Sequence, residues 1–201
     1  VTYKGVTLVT LGTGAWSAVE GIGKSVAVNM MTESVFVRFI SSEENLRKEF
    51  VKYFGTEKIS KKKPKNMKDF LGTMENALYA GILIAYMQGI FLLKKHDKNF
   101  NISEITRLWQ GGCIIRAGLL KNMEMENIKK ELKKEIGSLK ELLKISLEHD
   151  TAAPCFSAAW QYMKLMTTKK LPTNLLQGIR DYFGGHGFQR TDREGEFHIG
   201  S

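Results

Sequence analysis

The feature that most constrains the fold is an apolar stretch over residues 66–95, NMKDFLGTMENALYAGILIAYMQGIFLLKK. It contains no proline, and over residues 77–93 apolar side chains occupy nearly every face of a helix. A helix that is apolar all round has to be surrounded by other elements. A membrane span needs about 20 predominantly apolar residues, and Asn76 and Gln88 interrupt this stretch. The pattern therefore predicts a buried central core helix wrapped by other helices, with no membrane partner.

Composition narrows the class of protein. The 201 residues are enough for one hydrophobic core, and Val1 at the start leads us to expect an excerpt of a longer protein. Two cysteines, Cys113 and Cys155, stand in no metal-ligand or redox spacing, which favours two buried thiols in a reducing, cytoplasmic compartment. The net charge of +9 favours phosphate-bearing partners, whether a nucleic acid, a membrane surface or a small metabolite.

The opening segment has the pattern of a strand, Val6 to Leu11, followed by a glycine-rich turn and a helix near Trp16. A dinucleotide-binding loop needs a third glycine where this chain has Ser17. We therefore expect no nucleotide at this turn. Gly12, Thr13 and Gly14 can still present backbone N–H groups and a hydroxyl to a phosphate.

Several further helices follow from the spacing of apolar residues. Arg38 stands at the end of one predicted over 26–41, where it is either a phosphate ligand of the glycine-rich turn or a surface arginine. A helix over 127–149 is amphipathic, with a pair between Glu126 and Lys130 and an apolar stripe of Ile128, Leu132, Ile136, Leu139, Leu143 and Leu147. A last helix begins at Pro172 and is predicted to turn Leu175, Leu176, Ile179 and Phe183 toward a core.

Polar residues gather at the end of this last helix. Arg180, Tyr182 and His186 surround Gly184 and Gly185, which are expected to end the helix. Residues 190–198 are polar, with a glycine midway, and predict an extended C-terminal tail. Arg116 lies among apolar residues and is expected to need a carboxylate partner.

A lysine-rich segment between Lys58 and Lys68 surrounds Pro64. It has no interleaved aromatic residues, which bases would stack on. The better interpretation is a solvated connector, and we expect no nucleic-acid partner. A basic module that binds polyanions through these lysines remains the alternative class of function, together with a helical module that only dimerises.

Five strings occur in order over most of the chain: GTGxW, FVRFISS, WQGGCIIR, NLLQGIRDYFGGHGF and a final FH. Together they resemble the C-terminal helical domain of the decarboxylating 6-phosphogluconate dehydrogenases. The resemblance implies that residues 1–201 form an all-α substrate-binding and dimerisation domain, built around a long buried central helix and ending in an extended C-terminal tail. It also implies that the N-terminal Rossmann domain, which binds most of the NADP, is absent from this chain.

The resemblance implies a function and a set of site residues. Enzymes of this family carry out the NADP-dependent oxidative decarboxylation of 6-phosphogluconate to ribulose 5-phosphate in the pentose phosphate pathway, without a metal. Thr13 and Arg38 match the residues that hold the substrate phosphate. Arg180 and His186 match residues that serve the partner subunit's site in a homodimer. The family's catalytic lysine and glutamate match nothing in this chain, so we expect no catalytic or cofactor-binding residue and no activity from the chain alone.

One departure bears on the phosphate site. The family has a lysine before the GTG turn, and this chain has Leu11 there. The loss of one charge-assisted hydrogen bond costs about 1.5–3 kcal/mol. Leu11 is therefore expected to weaken phosphate binding.

Overall fold

The computed structural model describes residues 2–3, 6–7, 13–56, 64, 66–112 and 115–200, with the backbone alone at 2–3, 6–7, 13 and 122. Its α-helices are α1 Thr13–Gly23, α2 Asn29–Ser42, α3 Glu44–Phe54, α4 Met67–His96, α5 Ile102–Gly112, α6 Met125–Glu148, α7 Pro154–Met166 and α8 Thr173–Gly184. A 3-10 helix covers Gly118–Asn122. Two antiparallel pairs of short strands complete the fold, β1 Thr2–Tyr3 with β2 Val6–Thr7 and β3 Phe188–Gln189 with β4 Glu196–Phe197. The expected all-α class is confirmed.

The chain divides into two compact units, residues 1–162 and residues 163–201. The first contains the helices from α1 to most of α7. The second contains the end of α7, helix α8 and the β3–β4 hairpin.

The predicted central helix is α4, whose ends follow from local chemistry. The Asn66 side chain caps its first turn by accepting hydrogen bonds from the N–H groups of Lys68, at 3.0 Å, and Asp69, at 3.4 Å. At the other end Lys94, Lys95 and His96 occupy the last turn, where the helix dipole favours cations. An N-cap residue and a cationic last turn therefore bound the 30-residue helix.

Helix α4 packs chiefly against α6. It buries Ala77, Ala80, Gly81, Leu83, Ile84, Met87, Gln88 and Ile90. Gly81 permits close packing, because a β-carbon there would lie 3.3 Å from the Phe156 ring of α7 and 3.7 Å from the Met30 methyl of α2. The first unit is therefore organised around α4, with α2, α6 and α7 against it.

Gln88 is the polar exception in this core. Its side chain is fully buried, and its Oε1 accepts a hydrogen bond from the backbone N–H of Met30 at 3.1 Å. Helix α2 has no side-chain cap of its own at Val28. An amide on the central helix therefore satisfies a backbone donor in the first turn of α2 and fixes where α2 begins.

Among the described residues, one helix has the length and composition of a membrane span, and it is α4. In its most apolar 18-residue stretch, 44% of the residues are buried inside the structure. A core helix of a globular protein passes the same test. The packing of α4 against α6 supports the core interpretation.

Helix α6 departs from its predicted pattern at two points. Ile128, Leu132, Leu139 and Leu142 are its buried residues, whereas Leu147, part of the predicted stripe, is 78% exposed. Glu126 pairs with Lys129 at 2.7 Å, one residue earlier than the predicted Lys130. Residues three and four positions apart both lie about one turn away on a helix. The sequence spacing therefore could not distinguish Lys129 from Lys130 as the partner of Glu126.

The expectations for Arg116 and the cysteines have different outcomes. Arg116 is exposed, so the predicted need for a carboxylate partner was wrong. Cys155 is half-buried, and burial, followed by the charge of Glu33, raises the pKa of its thiol. Cys113 lies outside the described residues.

Two leucines of the same predicted stripe on α6 test this account of the core. Leu139 is fully buried, so Leu139→Ala should lower the free energy of unfolding by about 2–5 kcal/mol. Leu147→Ala, the matched control, should change it by less than about 0.5 kcal/mol, because the side chain is already in solvent. Urea denaturation of both variants measures the difference. Equal losses would contradict the packing described here.

Candidate functional site

The first part of the candidate site lies where α1 begins. A β-carbon on Gly14 would lie 3.6 Å from Nη1 of Arg38 and 3.5 Å from Cγ2 of Val35. Helix α2 therefore brings the Arg38 guanidinium to the first turn of α1, where backbone N–H groups have no partner within the helix. Buried Val35, one turn before Arg38, anchors this face of α2.

Thr13 is the first residue of α1. Its backbone therefore lies next to Gly14 and near the Arg38 guanidinium. The structure describes no side chain at Thr13, and Leu11 and Gly12 lie outside the described residues. The predicted role of the Thr13 hydroxyl stays a prediction.

The dinucleotide interpretation of this turn depends on the position of Ser17. Ser17, at the position of the missing third glycine, lies within the regular helix α1. That glycine normally allows a helix and a strand to pack closely around a pyrophosphate. The expectation that no nucleotide binds at this turn stays a prediction.

The second part of the candidate site is the end of α8. Gly185 has φ +59° and terminates the helix in the left-handed conformation, as the sequence predicted. The His186 ring then folds back against the helix, because a β-carbon on Gly184 would lie 2.6 Å from its Nε2. Glycine at position 184 leaves the space that this imidazole occupies.

Arg180 lines a groove of about 600 Å³ within the second unit. One side of the groove is α8, with Asn174, Gln177, Gly178 and Arg180, and the other is formed by residues 187–192 and Ile199. His186 is exposed and is not among the residues that line this groove. Arg180 and His186 therefore belong to the same helix end, but their side chains lie in different surroundings.

Asp181 is the residue of this region that the sequence reasoning missed. It is only 5% exposed, and its carboxylate accepts hydrogen bonds from the N–H of Gly187, at 2.6 Å, and from the N–H of Ile199, at 2.7 Å. His198 Nδ1 lies 2.8 Å from its Oδ1. The N–H of Ile199 contributes most to holding the pKa of Asp181 below its ordinary value, against the opposing effect of burial, with Gly187 and His198 adding to it.

The β3–β4 hairpin forms the C-terminal tail. Arg190 binds Asp192 through two hydrogen bonds of 2.8 and 2.7 Å, and this arginine holds the pKa of the Asp192 carboxyl below its usual range. The Arg193 guanidinium lies 4.5 Å from the centre of the Phe197 ring. Two features favour glycine at position 187, where the chain enters the hairpin. Its φ is +66°, and the Glu196 side chain occupies the space that a side chain on residue 187 would need.

The predicted apolar face of α8 is not covered by its own unit. Leu175, Leu176, Ile179 and Phe183 are all exposed, and Phe183 is 82% exposed. The expectation that these four side chains face a core is therefore wrong for the described residues. Helical periodicity identified the face correctly but carried no information about what covers it.

The four predicted site residues thus fall in two places. Thr13 and Arg38 belong to residues 1–162, whereas Arg180 and His186 belong to residues 163–201. Within the described part of the chain, no group of three or more His, Cys, Asp or Glu side chains is arranged to hold a metal ion. Of the predicted basic segment, Lys68 is exposed at the start of α4, and residues 58–63 and 65 lie outside the described residues.

Comparison with known proteins places the chain in a family. The family model described as 6-phosphogluconate dehydrogenase, C-terminal domain, matches residues 8–200. The chain belongs to this family. The resemblance stated from the five sequence strings is thereby confirmed.

Curated relatives and a solved structure agree with this membership. The NADP(+)-dependent, decarboxylating 6-phosphogluconate dehydrogenase of Bacillus subtilis is 32% identical over 93% of this chain, and a decarboxylating 6-phosphogluconate dehydrogenase of Buchnera aphidicola is 35% identical over 93%. Plasmodium falciparum 6-phosphogluconate dehydrogenase, solved in apo form and in complex with its cofactor NADP+ and its substrate 6-phosphogluconate, superposes with a TM-score of 0.85 at 33% identity over 94% of this chain. In each case the chain spans only 44% of the relative's length.

The hydrogen bonds of Asp181 predict an acid transition in this 6-phosphogluconate dehydrogenase domain. Because the folded-state pKa is depressed, the stabilisation is complete above the unfolded value of about 3.9 and is lost as the pH falls through the folded-state pKa. Hydrogen exchange of the Gly187 and Ile199 amides, corrected for intrinsic exchange, should therefore accelerate only below about pH 4. Asp181→Asn should remove this pH dependence. An unchanged profile in that variant would contradict the assignment.

Proposed function

We propose that this chain is the substrate-binding and dimer-forming part of an NADP-dependent, decarboxylating 6-phosphogluconate dehydrogenase. The complete enzyme would convert 6-phosphogluconate to ribulose 5-phosphate in the cytoplasmic pentose phosphate pathway. Family membership over residues 8–200 supports the reaction class. The approach of Arg38 to Gly14 is the observation that carries the proposal, because it assembles a cation and a helix start at the predicted phosphate position.

The proposed phosphate site uses charge and backbone together. The guanidinium of Arg38 can donate two parallel hydrogen bonds to a phosphate, and the first N–H groups of α1 point toward the same anion. Thr13 adds a hydroxyl donor. Leu11 contributes no charge. Phosphate binding by this half of the site should therefore depend more on Arg38 than it would in a family member with a lysine at this position.

Arg180 and His186 are proposed to complete the site of a second copy of the chain. Arg180 supplies another cation for the phosphate, and the His186 imidazole can donate to or accept from the substrate's hydroxyl oxygens. The exposed apolar side chains of α8 support a homodimer, because an apolar face of this kind usually marks a protein interface. In a two-fold dimer both copies would exchange the same residues.

The chemistry itself is assigned to residues beyond this chain. NADP, when bound, supplies the hydride acceptor, and we expect it to bind mainly to the N-terminal domain that the relatives contain. The side chains of this chain bind and orient 6-phosphogluconate through its phosphate and hydroxyl oxygens. The chain alone is therefore expected to produce no NADPH from 6-phosphogluconate and NADP.

Calorimetric titration with 6-phosphogluconate at low salt tests the proposed function, with unphosphorylated gluconate as the ligand control. Binding should require the phosphate, and Arg38→Ala and Arg180→Ala should each weaken it by about 1.5–3 kcal/mol. Arg107→Ala removes an exposed arginine on α5 and serves as the matched control, which should bind as the unmodified chain does.

Two results would count against the proposal. Equal binding of gluconate and 6-phosphogluconate would show that no phosphate site exists. Binding that depends on the lysines of residues 58–68, and is indifferent to Arg38 and Arg180, would instead favour the polyanion-binding alternative.

A further inference from the structure

The buried Asp181 connects three separate pieces of the second unit. It belongs to α8, Gly187 belongs to the loop after the helix, and His198 and Ile199 belong to the end of the tail. These partners are 6, 17 and 18 residues away in sequence. One carboxylate therefore determines how the helix end, the loop and the tail are arranged.

Asp181 lies close in sequence to the two residues that are proposed to bind the substrate. Arg180 precedes it directly, and the His186 residue lies immediately before Gly187, whose N–H the carboxylate holds. Movement of the Gly187 amide would move His186 with it, because the two share a peptide bond. The Arg180 backbone is similarly restrained by the buried side chain that follows it.

The tail end also forms part of the groove that Arg180 lines. Ile199 lines it, and Ile199 Cδ1 lies 3.3 Å from the position that a β-carbon on Gly178 would occupy. The hydrogen bond from the Ile199 N–H to Asp181 Oδ2 fixes this contact from the backbone side. The two sides of the groove are therefore held together by the carboxylate.

We propose that Asp181 is a positioning residue for substrate binding: its carboxylate holds the Gly187 loop and the C-terminal tail, and so fixes the positions from which Arg180 and His186 each reach 6-phosphogluconate. This inference rests on the proposed function. Asp181 itself does not contact the substrate in this proposal. A buried, multiply hydrogen-bonded carboxylate is suited to the task, because removing its charge leaves several donors without their acceptor.

Three variants test the proposal. Asp181→Asn keeps the size of the side chain and removes its charge, and His198→Ala removes one donor from the exposed tail and is the milder change. Glu194→Gln neutralises an exposed carboxylate in the same hairpin and is the matched control. Circular dichroism and sedimentation, both well below the melting temperature, establish that each variant is folded and in the same oligomeric state.

The first readout needs no substrate. NMR signals of the Arg180 side chain and the His186 ring should shift and broaden in Asp181→Asn, shift less in His198→Ala, and stay in place in Glu194→Gln. Signals of Arg180 and His186 that are unchanged in both Asp181→Asn and His198→Ala would overturn the positioning role, whether or not the chain binds 6-phosphogluconate.

The second readout is affinity for 6-phosphogluconate. Residues that hold a metal ligand in place typically contribute 10–100-fold to metal affinity, and we expect Asp181→Asn to weaken 6-phosphogluconate binding by about tenfold or more. His198→Ala should weaken it less, and Glu194→Gln should leave it unchanged. If Asp181 only stabilises the fold, every completely folded variant should bind 6-phosphogluconate with full affinity. That result would also overturn the proposal. Failure of the unmodified chain to bind would instead count against the proposed function.

Discussion

The all-round apolar surface of α4 is the constraint on which the rest of the first unit depends. Such a helix is stable in water only when other elements cover it, and α2, α6 and α7 cover part of its surface. The same helix fixes α2 through Gln88, whose amide oxygen accepts the N–H of Met30. Arg38 belongs to α2, so its position beside Gly14 follows from the way the core is packed. The proposed phosphate site is thus a consequence of burying α4.

Much of the architecture could be predicted from the sequence because its causes are local. The apolar run predicted α4, and Gly185 ended α8 as expected. Periodicity also identified the apolar faces of α6 and α8, but it could not show which residues of those faces are covered. Leu147 and Phe183 lie on these predicted apolar faces and are nevertheless exposed. Whether a residue is covered depends on the neighbouring surface and not on the helix itself.

Asp181 shows the second limit of sequence reasoning. In sequence, an aspartate near a helix end looks like an ordinary surface residue. Its burial can be predicted only when the donors of its hydrogen bonds are known. Two of these lie 17 and 18 residues later in a polar tail that has no periodicity of its own. The available signal was the density of glycines around His186, since Gly184 and Gly187 both stand where a side chain would collide with a neighbour. Such glycines indicate a tightly specified loop, and the buried carboxylate is what specifies it.

The central claim is that one chain supplies Arg38 and a second chain supplies Arg180 to the same phosphate. Mixing Arg38→Ala with Arg180→Ala under conditions of subunit exchange tests it most directly, with 6-phosphogluconate binding capacity as the measurement. Each variant alone should show almost no high-affinity sites. The mixture should recover about one quarter of the unmodified capacity, because half of the dimers are mixed and each of these has one intact site. No recovery, with exchange verified independently, would contradict a site shared between two chains.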